Sequence, residues 1–127
     1  MALKFLVVDD SVTMRRIVMN SLKQIGHENF VEAADGRDAL IKLNSDDSIN
    51  FIITDWNMPD VSGLELVKQV RANPKTANLP VLMVTTRGMK EDIIEALNAK
   101  VNNYIVKPFT PQVLREKIEQ IISTVNV

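Results

Sequence analysis

Asp9-Asp10, Asp55, Thr85 and Lys107 each stand directly after a short apolar run, and together they offer three carboxylates, a hydroxyl and an ammonium. That combination suits the handling of a phosphoryl group. A few oxygen ligands with positions left open favour magnesium, which keeps waters and also binds phosphate oxygens. Adjacent acids such as Asp9 and Asp10 repel each other, and a divalent cation relieves that cost. A third carboxylate, screened by the same cation, can then attack phosphorus. Asp55 is the best nucleophile because its strand should be central. Lys107 and Thr85, aimed at phosphoryl oxygens, would stabilise both the transferring group and the resulting acyl phosphate.

Singly, these residues have plainer uses. Asp10 or Ser11 can cap the helix that follows, worth ~1 kcal/mol. Asp55, ahead of the loop Trp56-Asn57-Met58-Pro59, can be a turn acid, Thr85 an ordinary strand end and Lys107 an exposed loop lysine. Only their conjunction points to chemistry, and the conjunction requires a fold that gathers them.

Five runs rich in valine, isoleucine and aromatic residues read as buried strands: Phe5 to Val8, Phe30 to Val31, Phe51 to Ile53, Val81 to Val84 and Tyr104 to Val106. Between them, apolar residues recur at steps of three and four. Met14, Ile17, Val18, Leu22 and Ile25 form one such stripe; Leu66, Val67 and Val70 a second; Ile93, Ile94 and Leu97 a third. Leu114, Ile118, Ile121, Ile122 and Val125 mark a closing helix. Gly26, Asp35-Gly36, Pro59 to Gly63, Asn73-Pro74, Pro80 and Lys107-Pro108 break the pattern. Five β-α units result, which predict a doubly wound α/β domain with a parallel sheet covered on both faces. Ligands of such sheets sit beyond the carboxyl ends of the strands, where all four polar stations fall.

The composition supports a single domain over residues 1–127. At 46% hydrophobic content the chain can fill a core without a disulfide, and it contains no cysteine. Its net charge of -1, with both signs interspersed, argues against nucleic acid or anionic lipid as partner. The opening Leu3 to Val8 is too short for a signal-peptide core or a membrane span, so a cytoplasmic protein is expected.

Asp9-Asp10, Asp55 within Thr54-Asp55-Trp56-Asn57-Met58-Pro59, Thr85, Tyr104 and Lys107-Pro108-Phe109 closely resemble the receiver domains of bacterial response regulators, in particular the CheY-like single-domain regulators of chemotaxis. The resemblance spans essentially the whole chain. It implies a flavodoxin-like fold with five strands in order 2-1-3-4-5 and five helices, and a cis Lys107-Pro108 bond. It implies that Asp55 accepts a phosphoryl group from a histidine kinase or small phosphodonor, with Thr85 and Lys107 assisting. Mg2+ would be held by Asp10, Asp55 and the backbone carbonyl of Asn57, with Asp9 acting through water. Thr85 and Tyr104 would form the switch, the ring turning inward as the hydroxyl moves toward the phosphoryl group. A partner surface near Met89, Lys90, Tyr104 and Lys117 would grip a flagellar motor switch protein.

Such a protein is a monomeric phosphoacceptor that assists its own phosphorylation and dephosphorylation, not an enzyme with an external substrate; a phosphatase is a further candidate partner. A phosphorelay intermediate, or a stand-alone receiver with a non-motor target, fits the same site. Asn57, Thr86 and Arg87 are positions that would tune rates. Thr86 stands where a smaller residue is usual, Arg87 where an acid is frequent, and Lys100 where glycine commonly ends a helix. Lys100 therefore needs another cap or a left-handed backbone. A flavin carrier of similar topology would need phosphate-cradling backbone donors after the first strand, where this chain has acids. An aspartyl hydrolase would carry an Asp-x-Asp arrangement after that strand, also absent. His27, in a turn, and the scattered methionines read as structural.

Overall fold

The computed structural model describes residues 3–125, with the side chain of Val125, the last position of the closing stripe, outside what it describes. Strands β1 (Phe5–Val8), β2 (Phe30–Ala33), β3 (Phe51–Thr54), β4 (Val81–Thr85) and β5 (Asn103–Val106) alternate with helices α1 (Val12–Gln24), α2 (Gly36–Ser45), α3 (Gly63–Ala72), α4 (Lys90–Asn98) and α5 (Pro111–Val125). The strands pair in parallel in the order β2-β1-β3-β4-β5, which puts β3 at the centre. This is the doubly wound flavodoxin-like arrangement. Every residue of β1, β3 and β4 is buried, as near-continuous apolar runs with helices on both faces require.

Alternation along the strands divides the interior into two cores. Phe5, Val7, Phe51, Ile53, Leu82, Val84 and Ile105 face α1 and α5, where Val18, Leu22, Leu114, Ile118 and Ile121 meet them. Leu6, Val8, Ile52, Val81, Met83 and Tyr104 face α2, α3 and α4 through Ala39, Leu43, Leu66, Val67, Val70 and Ala96. Each fully buried Leu, Ile or Phe in these layers contributes about 1.5–3 kcal/mol relative to an exposed one. His27 packs edge-on against Phe5, with ring centroids 5.0 Å apart, and burial together with Arg115 lowers its pKa.

Some stripe positions do not face the core. Ile17, Ile94 and Leu97 are exposed. On α4 only Ala96 is fully buried, with Ile93 partly buried against the same core, while Ile94 and Leu97 are turned outward. Asp35-Gly36, expected as a break, falls at the boundary between β2 and α2, where the Asp35 carboxylate caps the helix by accepting from the Asp38 N–H at 2.7 Å. Ser11 rather than Asp10 caps α1, accepting from the Met14 N–H at 3.2 Å. Ser62 caps α3 in the same way, whereas α4 begins at Met89 with no side-chain cap.

Lys100 takes the left-handed backbone at φ 73. The Lys100 N–H donates to the Leu97 carbonyl and the Val101 N–H to that of Ala96, the paired closure by which helices commonly end on glycine. Arg71 holds the turn from outside, donating to the Lys100 carbonyl at 2.8 and 3.1 Å while Nη1 reaches the Leu79 carbonyl at 2.6 Å. The strain lies in the Cβ of Lys100 and the clamp on its carbonyl, so the two are separable. Lys100→Gly should raise stability by about 0.5–1 kcal/mol, the left-handed penalty less the added chain entropy of glycine. Urea unfolding should show a higher midpoint at unchanged slope; a lower midpoint would mean that the lysine side chain supports the turn.

Candidate functional site

Hydrogen bonding continues one residue beyond the strand ends, and this aligns the polar groups. The Asp9 N–H donates to the Ala33 carbonyl at 3.2 Å and the Asp55 N–H to that of Val8 at 3.0 Å, so the first and third strands deliver their acids side by side. On the other side the Lys107 N–H donates to the Thr85 carbonyl at 2.8 Å. Between Lys107 and Pro108 the peptide is cis. Lys107 then reaches back across the strand ends. Its Nζ lies 3.1 Å from Asp9 Oδ2 and 3.5 Å from Asp55 Oδ2.

Asp9 is buried and fully engaged, its Oδ1 accepting from the Ser11 N–H at 2.9 Å and its carbonyl from Arg15 Nη1 at 2.6 Å. Asp10 is exposed beside it, with no hydrogen-bond partner among the described residues. One carboxylate oxygen from each of Asp9, Asp10 and Asp55 lies within 4.8 Å of the others. Three formal negative charges against the one positive charge of Lys107 leave two uncompensated, all on hard oxygen ligands. A divalent cation such as magnesium fits both the charge and the donor set.

The loop after Asp55 is pinned by a close approach. The Trp56 N–H donates to Asp55 Oδ1 at 2.7 Å, and the Gly63 N–H closes back onto the Trp56 carbonyl at 2.8 Å. A Cβ on Gly63 would lie 1.9 Å from the Asp55 carbonyl oxygen, so only glycine lets α3 start this near the acid. The break at Pro59 to Gly63 was visible in the sequence; its role in seating Asp55 was not.

Thr85 is buried, and its Oγ1 accepts from the Arg87 N–H at 3.3 Å. Tyr104 stands inward in the structure, its hydroxyl donating to the Arg87 carbonyl at 2.6 Å. Arg87 Cζ lies 4.4 Å from the Trp56 ring centroid; Nε donates to Asn57 Oδ1 at 3.0 Å and Nη1 to Asp92 Oδ1 at 3.2 Å. Asp92 and the Trp56 platform escaped sequence reasoning, because nothing in the spacing shows that the β4–α4 loop folds back over the loop after Asp55. Thr86 is exposed beside this cluster. Since β5 is an edge strand, Met89 and Lys90 flank it from the α4 side and Lys117 stands on α5 beyond it, with Met89 exposed.

A receiver profile is the observation that decides the family. The profile described as "Response regulator receiver domain" matches residues 5–119. The chain belongs to the response regulator receiver domain family. Within it, this receiver is CheY-like. It is 55% identical over 122 residues to the chemotaxis protein CheY homolog of Campylobacter jejuni, covering 96% of this chain and 94% of that protein. It is 53% identical to the chemotaxis protein CheY1 of Helicobacter pylori over 96% of this chain and 98% of that one. The solved structure of CheY4, a chemotaxis response regulator of Vibrio cholerae, superposes with a TM-score of 0.86 at 36% identity, covering 95% and 99% of the two chains. Receiver domains are signalling proteins. Among the described residues no helix of this receiver is long and apolar enough to cross a membrane.

Burial pushes the Tyr104 phenol up to about 12, with the Asp92 and Asp55 carboxylates adding to the rise and Arg87 opposing it. A raised folded-state value means that folding binds the phenolic proton more tightly. The stability this contributes is complete below about pH 10, the ordinary phenol range, and is lost as pH climbs through the folded value. Tyr104 is the sole tyrosine, so tyrosinate absorbance reports it alone. The folded protein should titrate with a midpoint near 12, and the urea-unfolded chain near the ordinary value; equal midpoints would show the hydroxyl to be solvated.

Proposed function

We propose that this receiver accepts a phosphoryl group on Asp55 from the phosphohistidine of a histidine kinase and, once loaded, binds a flagellar motor switch protein. The observation that carries the reading is the gathering of Asp9, Asp10 and Asp55 at the carboxyl ends of the strands, with Lys107 bridging Asp9 and Asp55. Relatives named as chemotaxis proteins support the choice of target. With these partners the protein would act in the cytoplasm.

Asp10, Asp55 and the Asn57 carbonyl would hold Mg2+, with Asp9 contributing through water. When bound, the cation screens the acids from the incoming phosphoryl oxygens and offsets charge on the transferring group. The remaining work falls to the chain. Asp55 is seated by two backbone contacts, its own N–H to Val8 and the Trp56 N–H to Oδ1, so little motion is needed to align it for attack. Lys107 presents an ammonium that follows the charge from the carboxylate to the acyl phosphate. Thr85 then exchanges its bond from the Arg87 N–H for one to a phosphoryl oxygen. That exchange draws on the β4–α4 loop, to which Tyr104 is already bonded through the Arg87 carbonyl. With the ring inward and bonded to this loop, Thr85 and Tyr104 would act together as the switch at the start of α4, beside exposed Met89.

Asp55→Asn should abolish acid-labile labelling by a small phosphodonor in the presence of magnesium. Peptide mass mapping of the wild-type protein should put the label on Asp55; full labelling of the variant would move the acceptor elsewhere. Trp56, the sole tryptophan, is buried next to Asp55. Its emission should change as magnesium is titrated, and an unchanged spectrum at saturating metal would count against the cation site.

A further inference from the structure

Arg87 makes five contacts that tie together several parts of the site. Its side chain bonds to Asn57 in the acceptor loop and to Asp92 in the first turn of α4, over the ring of Trp56. Its backbone bonds to Thr85 and Tyr104. With Asp10, Trp56, Asn57 and Ser62 it lines an open depression of about 540 Å³ beside the acceptor, and it is the one cation among the described residues lining it.

Lys107 is committed inside the site, buried against Asp9 and Asp55. Arg87 is not committed to the same degree. Its pair with Asp92 is partly exposed, with side chains 39% and 21% accessible, and solvent screening leaves a pair of that kind weak. Asn57 offers a neutral oxygen. An incoming phosphoryl group brings close to two negative charges on several oxygens, a better match for a guanidinium fork than one carboxylate oxygen. α4 lacks a side-chain cap, so the Arg87–Asp92 bond is a principal polar tie of its first turn to the acceptor loop.

We propose that Arg87 is a further phosphoryl-binding residue of the Asp55 site, held on Asn57 and Asp92 until a phosphoryl group enters and then paired with phosphoryl oxygens, so that Asp92 competes with the phosphoryl group for one guanidinium. This rests on Asp55 as the acceptor. In the step it assists, an Asp55 carboxylate oxygen forms a P–O bond while the bond from phosphorus to the donor's leaving atom breaks, the imidazole nitrogen in a phosphohistidine and the bridging oxygen in an acyl phosphate. With an acyl phosphate the donor carboxylate leaves with the electron pair, and no proton is transferred. Release of Asp92 loosens the start of α4 at the moment of loading, which connects the anion to the face that carries Met89.

The test is a double-mutant cycle on the rate of Asp55 labelling by acetyl phosphate, with magnesium present and donor low enough for first-order dependence. Arg87→Gln should slow labelling roughly fivefold to tenfold, with partial recovery in Arg87→Lys. Asp92→Asn should speed it roughly twofold to fivefold by freeing the guanidinium, and should have no effect when Arg87 is already Gln. Added salt should slow the wild type more than Arg87→Gln. The proposal is overturned if Arg87→Gln labels at the wild-type rate. It is also overturned if Asp92→Asn speeds labelling equally in both backgrounds, since Asp92 would then act through its own charge. Label found away from Asp55 in the wild type removes the acceptor reading itself, whereas label on Asp55 at unaltered rates removes only the role of Arg87.

Discussion

Like charges do not gather unaided, and three carboxylates with oxygens within 4.8 Å of one another, two of them bridged by one ammonium, are the constraint on which this structure depends. Packing supplies the opposing force. The acids stand at the ends of β1 and β3, strands buried on both faces, and the backbone bonds from Asp9 to Ala33 and from Asp55 to Val8 extend the sheet to the acids themselves. Lys107 offsets part of the repulsion from the far side of the sheet. The remaining negative charge makes the site receptive to a divalent cation and, through it, to phosphate oxygens.

Rigidity is unevenly distributed around that site. The central strands and the helices on both faces form two apolar cores whose separation requires strand order and alternation to agree. α4 differs: one fully buried residue, no side-chain cap, and exposed Met89, Ile94 and Leu97. A helix so held has a low local stability relative to the sheet, as elements that move in signalling must. Its polar ties run through Arg87 to the acceptor loop, so the weakest-packed element is linked to the most strongly charged part of the site.

Much of the arrangement was legible in the residues. Apolar runs at β1, β3 and β4 read as strands because a sheet buried on both faces leaves no polar positions in them. The closing helix was equally plain, with Leu114, Ile118 and Ile121 on one stripe and all buried. The α4 stripe misled in part: Ile93 packs against the core, but Ile94 and Leu97 are exposed and the small Ala96 is the residue buried there. Asp35-Gly36 marked the boundary between β2 and α2, but the pair serves a turn or a helix start equally well, and only the Asp38 N–H above the Asp35 carboxylate decided between them. At Lys100 the sequence raised the question of a left-handed residue, and the bonds to Leu97 and Ala96 with the Arg71 clamp answered it.

The sequence by itself determined that acids, a hydroxyl and an ammonium follow apolar runs in a β-α alternation, because both side-chain types and period are local properties of the chain. Topology then dictated where those groups had to converge. Only the tertiary structure decided which group touches which: that Lys107 bridges Asp9 and Asp55, that Gly63 lies against the Asp55 carbonyl, and that Arg87 reaches both Asn57 and Asp92. Those contacts join residues far apart in the chain through loop conformations and side-chain reach. No pattern in a single segment encodes them.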